Sequence, residues 1–246
     1  MKVTGNTILI TGGASGIGLA LAKRFLERGN EVIICGRRAD KLPEAQMVFP
    51  GLHVRVADVS TADGRAALAV WAGNHFPGLN VLVNNAGIQR SIDLTKGEEW
   101  EATRSEIAIN LEAPIHLSQI LLPQLRAQAA SAIVNVTSGL SFVPLANVPV
   151  YCSTKAALHS FTLSLRHQLR GSPVEVIEVI PPAVDTDLQA PGLHTFGVNV
   201  DQFADAVFEG LEAGESEIAY GTADLASRAS REQLDTIFER MNSSSH

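Results

Sequence analysis

Cysteine is scarce in this 246-residue chain, with Cys35 and Cys152 the only two. Two thiols do not make a disulfide framework, and one of them directly follows a tyrosine, so reduced thiols and a cytoplasmic setting are expected. Charge is sparse as well, at 18% of residues, and its balance is acidic: 19 Lys and Arg against 26 Asp and Glu, a net of −7. A broad nucleic-acid surface needs clustered Lys and Arg, so that class of partner is not expected. No apolar run approaches the ~20 residues of a membrane span, so no membrane partner is expected either. The opening Met-Lys-Val-Thr-Gly runs straight into a short apolar segment, unlike a signal peptide. Linkers, charge runs and repeats are also missing. One domain over residues 1–241, followed by a small polar tail at 242–246, is the expected organisation.

What is present is ample core material, 46% hydrophobic, arranged in a repeating order. Short β-branched and apolar runs stand at Thr7–Ile10, Glu31–Cys35, Leu52–Ala57, Leu79–Val83, Ala132–Val136 and Val174–Ile180, with a seventh at Glu217–Tyr220. Stretches of helical periodicity separate them. Strands this continuously apolar call for a parallel sheet covered on both faces. The expected fold is therefore α/β: a doubly wound parallel sheet of Rossmann type, about seven strands with helices on both faces, its ligand crevice at the strands' C-terminal ends. Two long helical stretches, 98–128 and 150–170, are rich enough in apolar residues to be candidates for subunit packing in a homo-oligomer. Leu234, Ile237, Phe238 and Met241 mark the stripe of a terminal helix.

Three groups of residues carry chemistry. Tyr151 and Lys155 are four apart, so on a helix they leave the same face one turn from each other. A phenol titrates near ~10 in water, and an adjacent ammonium favours the phenolate and draws that value toward neutrality. Ser138, thirteen residues upstream, can hold a carbonyl or alcohol oxygen against the phenol. Tyr-x-x-x-Lys alone is equally met by an exposed pair on an ordinary helix. The second group, Gly12, Gly16 and Gly18, follows a strand and opens a helix, where glycine admits a phosphate close to the backbone and the helix N-terminus meets its charge. The third is Arg37-Arg38 at the end of the second strand. An acidic residue there would bind the adenosine ribose of NAD, whereas paired guanidiniums suit the extra phosphate of NADP. Asp58, after the third strand, serves either the adenine amino group or the N-cap of the next helix.

With Asn84-Asn85-Ala86-Gly87 added in order, the chain resembles the short-chain dehydrogenase/reductase family over about residues 5–187. The resemblance implies a cofactor site of Gly12, Ser15, Gly16, Ile17, Gly18, Arg37, Arg38, Asp58, Val59, Asn84, Ala86, Gly87, Tyr151, Lys155, Pro181, Val184 and Thr186. It also implies four catalytic residues: Tyr151 as acid or base, Lys155 on the nicotinamide ribose, Ser138 orienting the substrate oxygen, and Asn110 anchoring a water. NADP(H) is the expected cofactor, with NAD(H) the alternative, and no metal is called for. The family commonly has Pro-Gly after the sixth strand where this chain has Pro181-Pro182. The C-terminus is similar to that of the subgroup of the lipoteichoic acid operon oxidoreductase, which leaves dimer and tetramer both open.

Leu140, Phe142, Val143, Pro144, Leu145 and Val148 surround the catalytic Ser and Tyr, and no Arg, Lys or His stands out among them. The expected substrate is thus a small uncharged ketone, aldehyde or secondary alcohol in an apolar pocket built on Ser138, Leu140, Phe142 and Tyr151. Gln89, Arg90 and Gln189 are placed to add polar selectivity. Residues 185–200, with Pro191, Gly192 and Gly197, read as a loop hanging over the crevice, a lid to be closed by ligand. Besides an NADPH-linked carbonyl reductase, the residues admit an NAD-dependent alcohol dehydrogenase or a redox sensor that binds NADP without turnover.

Overall fold

A computed structural model describes residues 1–97, 100–190 and 192–243. Glu98, Pro191 and the last three residues of the expected tail lie outside them. Seven strands, β1 (Thr7–Thr11), β2 (Glu31–Gly36), β3 (Leu52–Val56), β4 (Leu79–Asn84), β5 (Ser131–Val136), β6 (Val174–Ile180) and β7 (Glu217–Ala219), form one sheet. Its order is β3-β2-β1-β4-β5-β6-β7, and every adjacent pair is parallel. Chain direction across the sheet reverses between β1 and β4, which opens a crevice at their C-terminal ends.

The period of two along each strand divides the apolar residues between two layers. Ile8, Ile10, Val32, Ile34, Val81 and Val83 face one side and pack with Phe25, Phe203 and Phe208. These aromatics come from α1 (Gly16–Glu27) and α7 (Val200–Ala213). Leu9, Ile33 and Leu82 face the other, against Leu68, Leu117, Leu121 and Leu165. Those leucines belong to α3 (Ala62–His75), α5 (Ala113–Arg126) and α6 (Pro149–Gln168). Each such fully buried aliphatic side chain contributes about 1.5–3 kcal/mol, and α2 (Lys41–Val48) completes the first layer through Leu42.

The strands lie where the apolar runs place them, within a residue at each end, but not all are apolar throughout. β3 carries His53 and Arg55 and has exposed positions along its length, because it is an edge strand and needs cover on fewer sides. The stretch expected as helical from 98 to 128 is helical without interruption from Trp100 to Arg126, but it is not α-helical throughout. α4 (Trp100–Ile107) leads into a π-helical turn over Ala108–Glu112 before α5 begins. The amide of Ala113 reaches back five residues to Ala108 O, and Asn110 sits inside this widened turn. After β7 come α8 (Thr222–Arg228), which periodicity alone did not mark, and α9 (Arg231–Asn242), started by a reciprocal Ser230/Gln233 cap. Asn242, read as tail, ends α9 instead: its side chain accepts from Ala146 N (2.7 Å) and donates to Pro144 O (3.2 Å). Among the described residues, no helix is long and apolar enough to cross a membrane.

Candidate active site

A cleft of about 480 Å³ opens where β1 and β4 part. Its floor is two turns sewn together. Thr11 Oγ1 accepts from the amides of Asn85 and Ala86 (3.0 Å each), and Asn85 Nδ2 donates to Thr11 O (2.9 Å) and Gly12 O (3.2 Å). Gly12 has φ of +65°, and a Cβ there would lie 2.9 Å from Ala86 Cα. Gly12, Gly16, Ile17, Ala86 and Gly87 line the cleft. Gly18 does not. A Cβ on Gly18 would stand 2.5 Å from both Gly12 O and Asn85 Nδ2, so that glycine lets the start of α1 pack on the turn and has no direct contact with the cleft. Asn84, expected at the cofactor, is turned into the core, where Nδ2 donates to Asn135 Oδ1 (2.8 Å) and Ser118 Oγ (3.3 Å). Its neighbour Asn85 does the work at the cleft, and the motif match, which named Asn84, passed over it.

At one end of the cleft stand Ser15, Arg37, Arg38, Ala57 and Val59. Ser15 is the N-cap of α1, yet its hydroxyl makes no capping bond. It accepts instead from Arg38 Nη2 at 2.6 Å, which leaves the first amides of α1 for an anion. Asp58 is outside the cleft lining. Burial opposes its charge, but hydrogen bonds from Ser60 and the nearby Arg37 guanidinium outweigh that and hold it below the usual carboxylate range. The N-cap alternative for Asp58 also fails, since Thr61 caps α3 by accepting from Gly64 N (3.0 Å).

At the other end Tyr151 and Lys155 project from the first turns of α6, both buried. Lys155 Nζ donates to Val136 O at 2.8 Å, at the tip of β5, and lies 5.6 Å from the Tyr151 ring centre. Burial draws this ammonium down to about 8. Burial also pushes the Tyr151 phenol well above its ordinary value, more than the hydrogen-bonding Ser138 hydroxyl can offset. The downward shift expected from Lys155 is therefore absent here, because desolvation of the buried phenol dominates. Ser138 Oγ accepts from Leu140 N (3.1 Å) and so caps the short turn that presents it. Asn110 is fully buried. Its Oδ1 accepts from Ile88 N (2.9 Å) and its Nδ2 donates to Ile88 O (2.8 Å) and Thr154 Oγ1 (3.2 Å). Both amide hydrogens and one oxygen lone pair are thus used within the protein, and the side chain positions the segment after β4 that carries Gly87.

A second cavity of about 420 Å³ adjoins the first, and Tyr151 lines both. Ser138, Leu140, Val143, Leu145 and Val184 wall it, with α8 and α9 opposite. Phe142 does not line it. That ring packs edge-on to His159 at 4.7 Å, and His159 is in turn held 2.9 Å from the buried Glu178 carboxylate. Gln189 lines the first cleft, where its amide donates to Ser91 Oγ (3.0 Å), and Arg90 lines it too. Pro181 and Thr186 touch both cavities. The loop expected as a lid is pinned at its base, where Asp185 N donates to Val198 O and Val198 N to Ala183 O (2.9 Å each). Its Leu188 reaches into both cavities. Cys35 and Cys152 are buried and form no disulfide, and burial pushes both thiols up, that of Cys35 to about 12.

The geometry has a family. A sequence model of the short chain dehydrogenases matches residues 6–195. The chain is 51% identical over 248 aligned positions, 98% of both proteins, to the uncharacterized oxidoreductase DltE of Bacillus subtilis strain 168. In fold it is similar to a short-chain dehydrogenase from Sphingobium yanoikuyae in complex with NADPH, with a TM-score of 0.81 and 24% identity over 96% of this chain and 94% of that one. A short-chain dehydrogenase/reductase from Burkholderia phymatum in complex with NAD gives a TM-score of 0.86 at 21% identity, covering 96% of each chain. The match that covers most of the sheet also covers the tyrosine and lysine at its crevice, and the protein belongs to the short-chain dehydrogenase/reductase family of NAD(P)-dependent oxidoreductases.

Proposed function

We propose that this protein is an NADPH-linked reductase that converts a ketone or aldehyde with an apolar body into the alcohol. One observation carries the reading: the phenol of Tyr151 stands in the wall shared by a cofactor-sized cleft and an apolar cavity. A dinucleotide fits the residues along the first cleft. Open amides of α1 and the Gly12 turn suit its pyrophosphate, while Lys155 and Thr186 border the end where the nicotinamide would meet the second cavity. Once bound, that group supplies the hydride. The chain's own residues manage the proton. A phenol kept protonated by burial is the acid a reduction needs, and Ser138 holds the carbonyl oxygen within its reach.

The NADP preference rests on Arg37 and Arg38, which flank the cleft end beside Ser15, while Asp58 is off the lining and the carboxylate that does line the cleft, Asp187, comes from the loop after β6. NADP(H) is expected to bind at least tenfold more tightly than NAD(H), about 1.4 kcal/mol. Replacing both arginines with alanine is expected to remove most of that margin along with its salt sensitivity, since exposed phosphate contacts are screened. Titration of the two cofactors into parent and variant decides it. Equal affinities in the parent would remove the NADP assignment and favour the NAD-dependent dehydrogenase.

A further inference from the structure

The second cavity contains a cation that no reading of its neighbouring sequence exposed. Arg240 comes from α9, and among the described residues it is the only charged side chain in the lining. Ile237, Arg240 and Met241 are three and four residues apart, so they form one face of α9, and all three line the cavity. Asn242, at the end of the same helix, is bonded to Pro144 O and Ala146 N in the segment that runs on from the Ser138 turn. The helix end that carries Arg240 is thereby fastened to the wall opposite. The other arginines at this end of the chain, Arg228 and Arg231, are paired with Asp224 and Asp235. Arg240 has neither a salt bridge nor a side-chain hydrogen bond among the described residues. His194, from the loop over the crevice, lines the same cavity, but its Nδ1 is turned away from the open space.

A solvent-exposed guanidinium without a protein partner among the described residues, at the mouth of an apolar cavity, is suited to an acceptor-rich anionic group. We propose that the cavity takes an amphipathic carbonyl compound with a distal anion, carboxylate or phosphate, bound by Arg240. The apolar chain between the two ends lies along Leu140, Val143, Ile237 and Met241. The carbonyl end of this assignment rests on the reductase reading above; the anionic end does not.

The test separates them. Straight-chain carboxylates of about five to ten carbons and the primary amides of the same lengths are titrated calorimetrically into the protein, free and with NADP+ added. At the best-fitting length the carboxylate is expected to bind at least tenfold more tightly than its amide, about 1.4 kcal/mol. Arg240→Gln should bring that ratio close to one, and Arg240→Lys, which keeps the charge, should retain part of it. Equal binding of acid and amide at every length, or a ratio that survives Arg240→Gln, overturns the proposal. So does loss of all binding in both variants, which would make the arginine a support for α9 and not a ligand. Turnover of ω-oxo carboxylates with NADPH is then measured on the parent. Arg240-dependent carboxylate binding without turnover leaves the anion site standing and removes the reductase reading alone.

Discussion

Tyr151→Phe is expected to lower ketone reduction by about a hundred- to ten-thousand-fold, the usual worth of a positioned general acid, while NADPH affinity stays within about threefold of the parent. The ring is buried in a small apolar cluster with Val148 and Cys152, so phenylalanine keeps the packing and removes only the oxygen. Lys155 remains on Val136 O. The proton is the whole difference. A related pH effect follows from Lys155, whose charge is lost as pH rises through about 8. For reduction, kcat/KM is expected to fall above that point, because the neutral amine no longer favours the phenolate that forms when the proton leaves. Steady-state kinetics of parent and variant with one ketone check both statements. A near-normal rate in the phenylalanine variant would take Tyr151 out of the chemistry.

Glu106→Gln is expected to stabilise the protein at pH 8 by on the order of 2–3 kcal/mol, and by only a few tenths near pH 4. Glu106 is fully buried on α4, and neither carboxylate oxygen has a hydrogen-bond partner among the described residues. Burial raises it to about 7, with the nearby Arg90 offsetting only part of that cost. The folded carboxyl therefore holds its proton where the unfolded one, near 4.5, has released it. Stability is lost as pH rises between these two values, and the full penalty is present above about 7. Glutamine keeps the shape and never ionises. Denaturant unfolding of both proteins at pH 4, 6 and 8 measures it; a difference that does not grow with pH would mean the carboxylate is solvated or paired after all.

How much of this was legible in the chain varied with the range of the interaction. The strands were legible because burial on both faces demands apolar runs such as Ile8–Ile10 and Val81–Val83, and a run is a local property. Tyr151 and Lys155 were legible because four residues on a helix fix their relation. Asn84 and Asn85 were not separable in the same way: both end one strand, and which side chain turns to the cleft depends on partners at Thr11 and Asn135 far along the chain. Phe142 could not be assigned to core or cavity without knowing that His159 stands beside it. The π-helical turn that holds Asn110, whose side chain bonds to Ile88, is a feature no period reveals. Arg240 is the extreme case, brought to the second cavity by the way α9 folds back on the Pro144–Ala146 segment.

The most direct test of the account is a panel of medium-chain ketones and aldehydes, with and without a terminal carboxylate, offered to the protein with NADPH and, separately, with NADH. Consumption of reduced nicotinamide and formation of the alcohol are followed together. The expected result is stoichiometric alcohol from at least one ketone, with kcat/KM at least tenfold higher for NADPH than for NADH. Tight NADPH binding with no alcohol formed from any member of the panel would contradict it and leave a cofactor-binding sensor in its place.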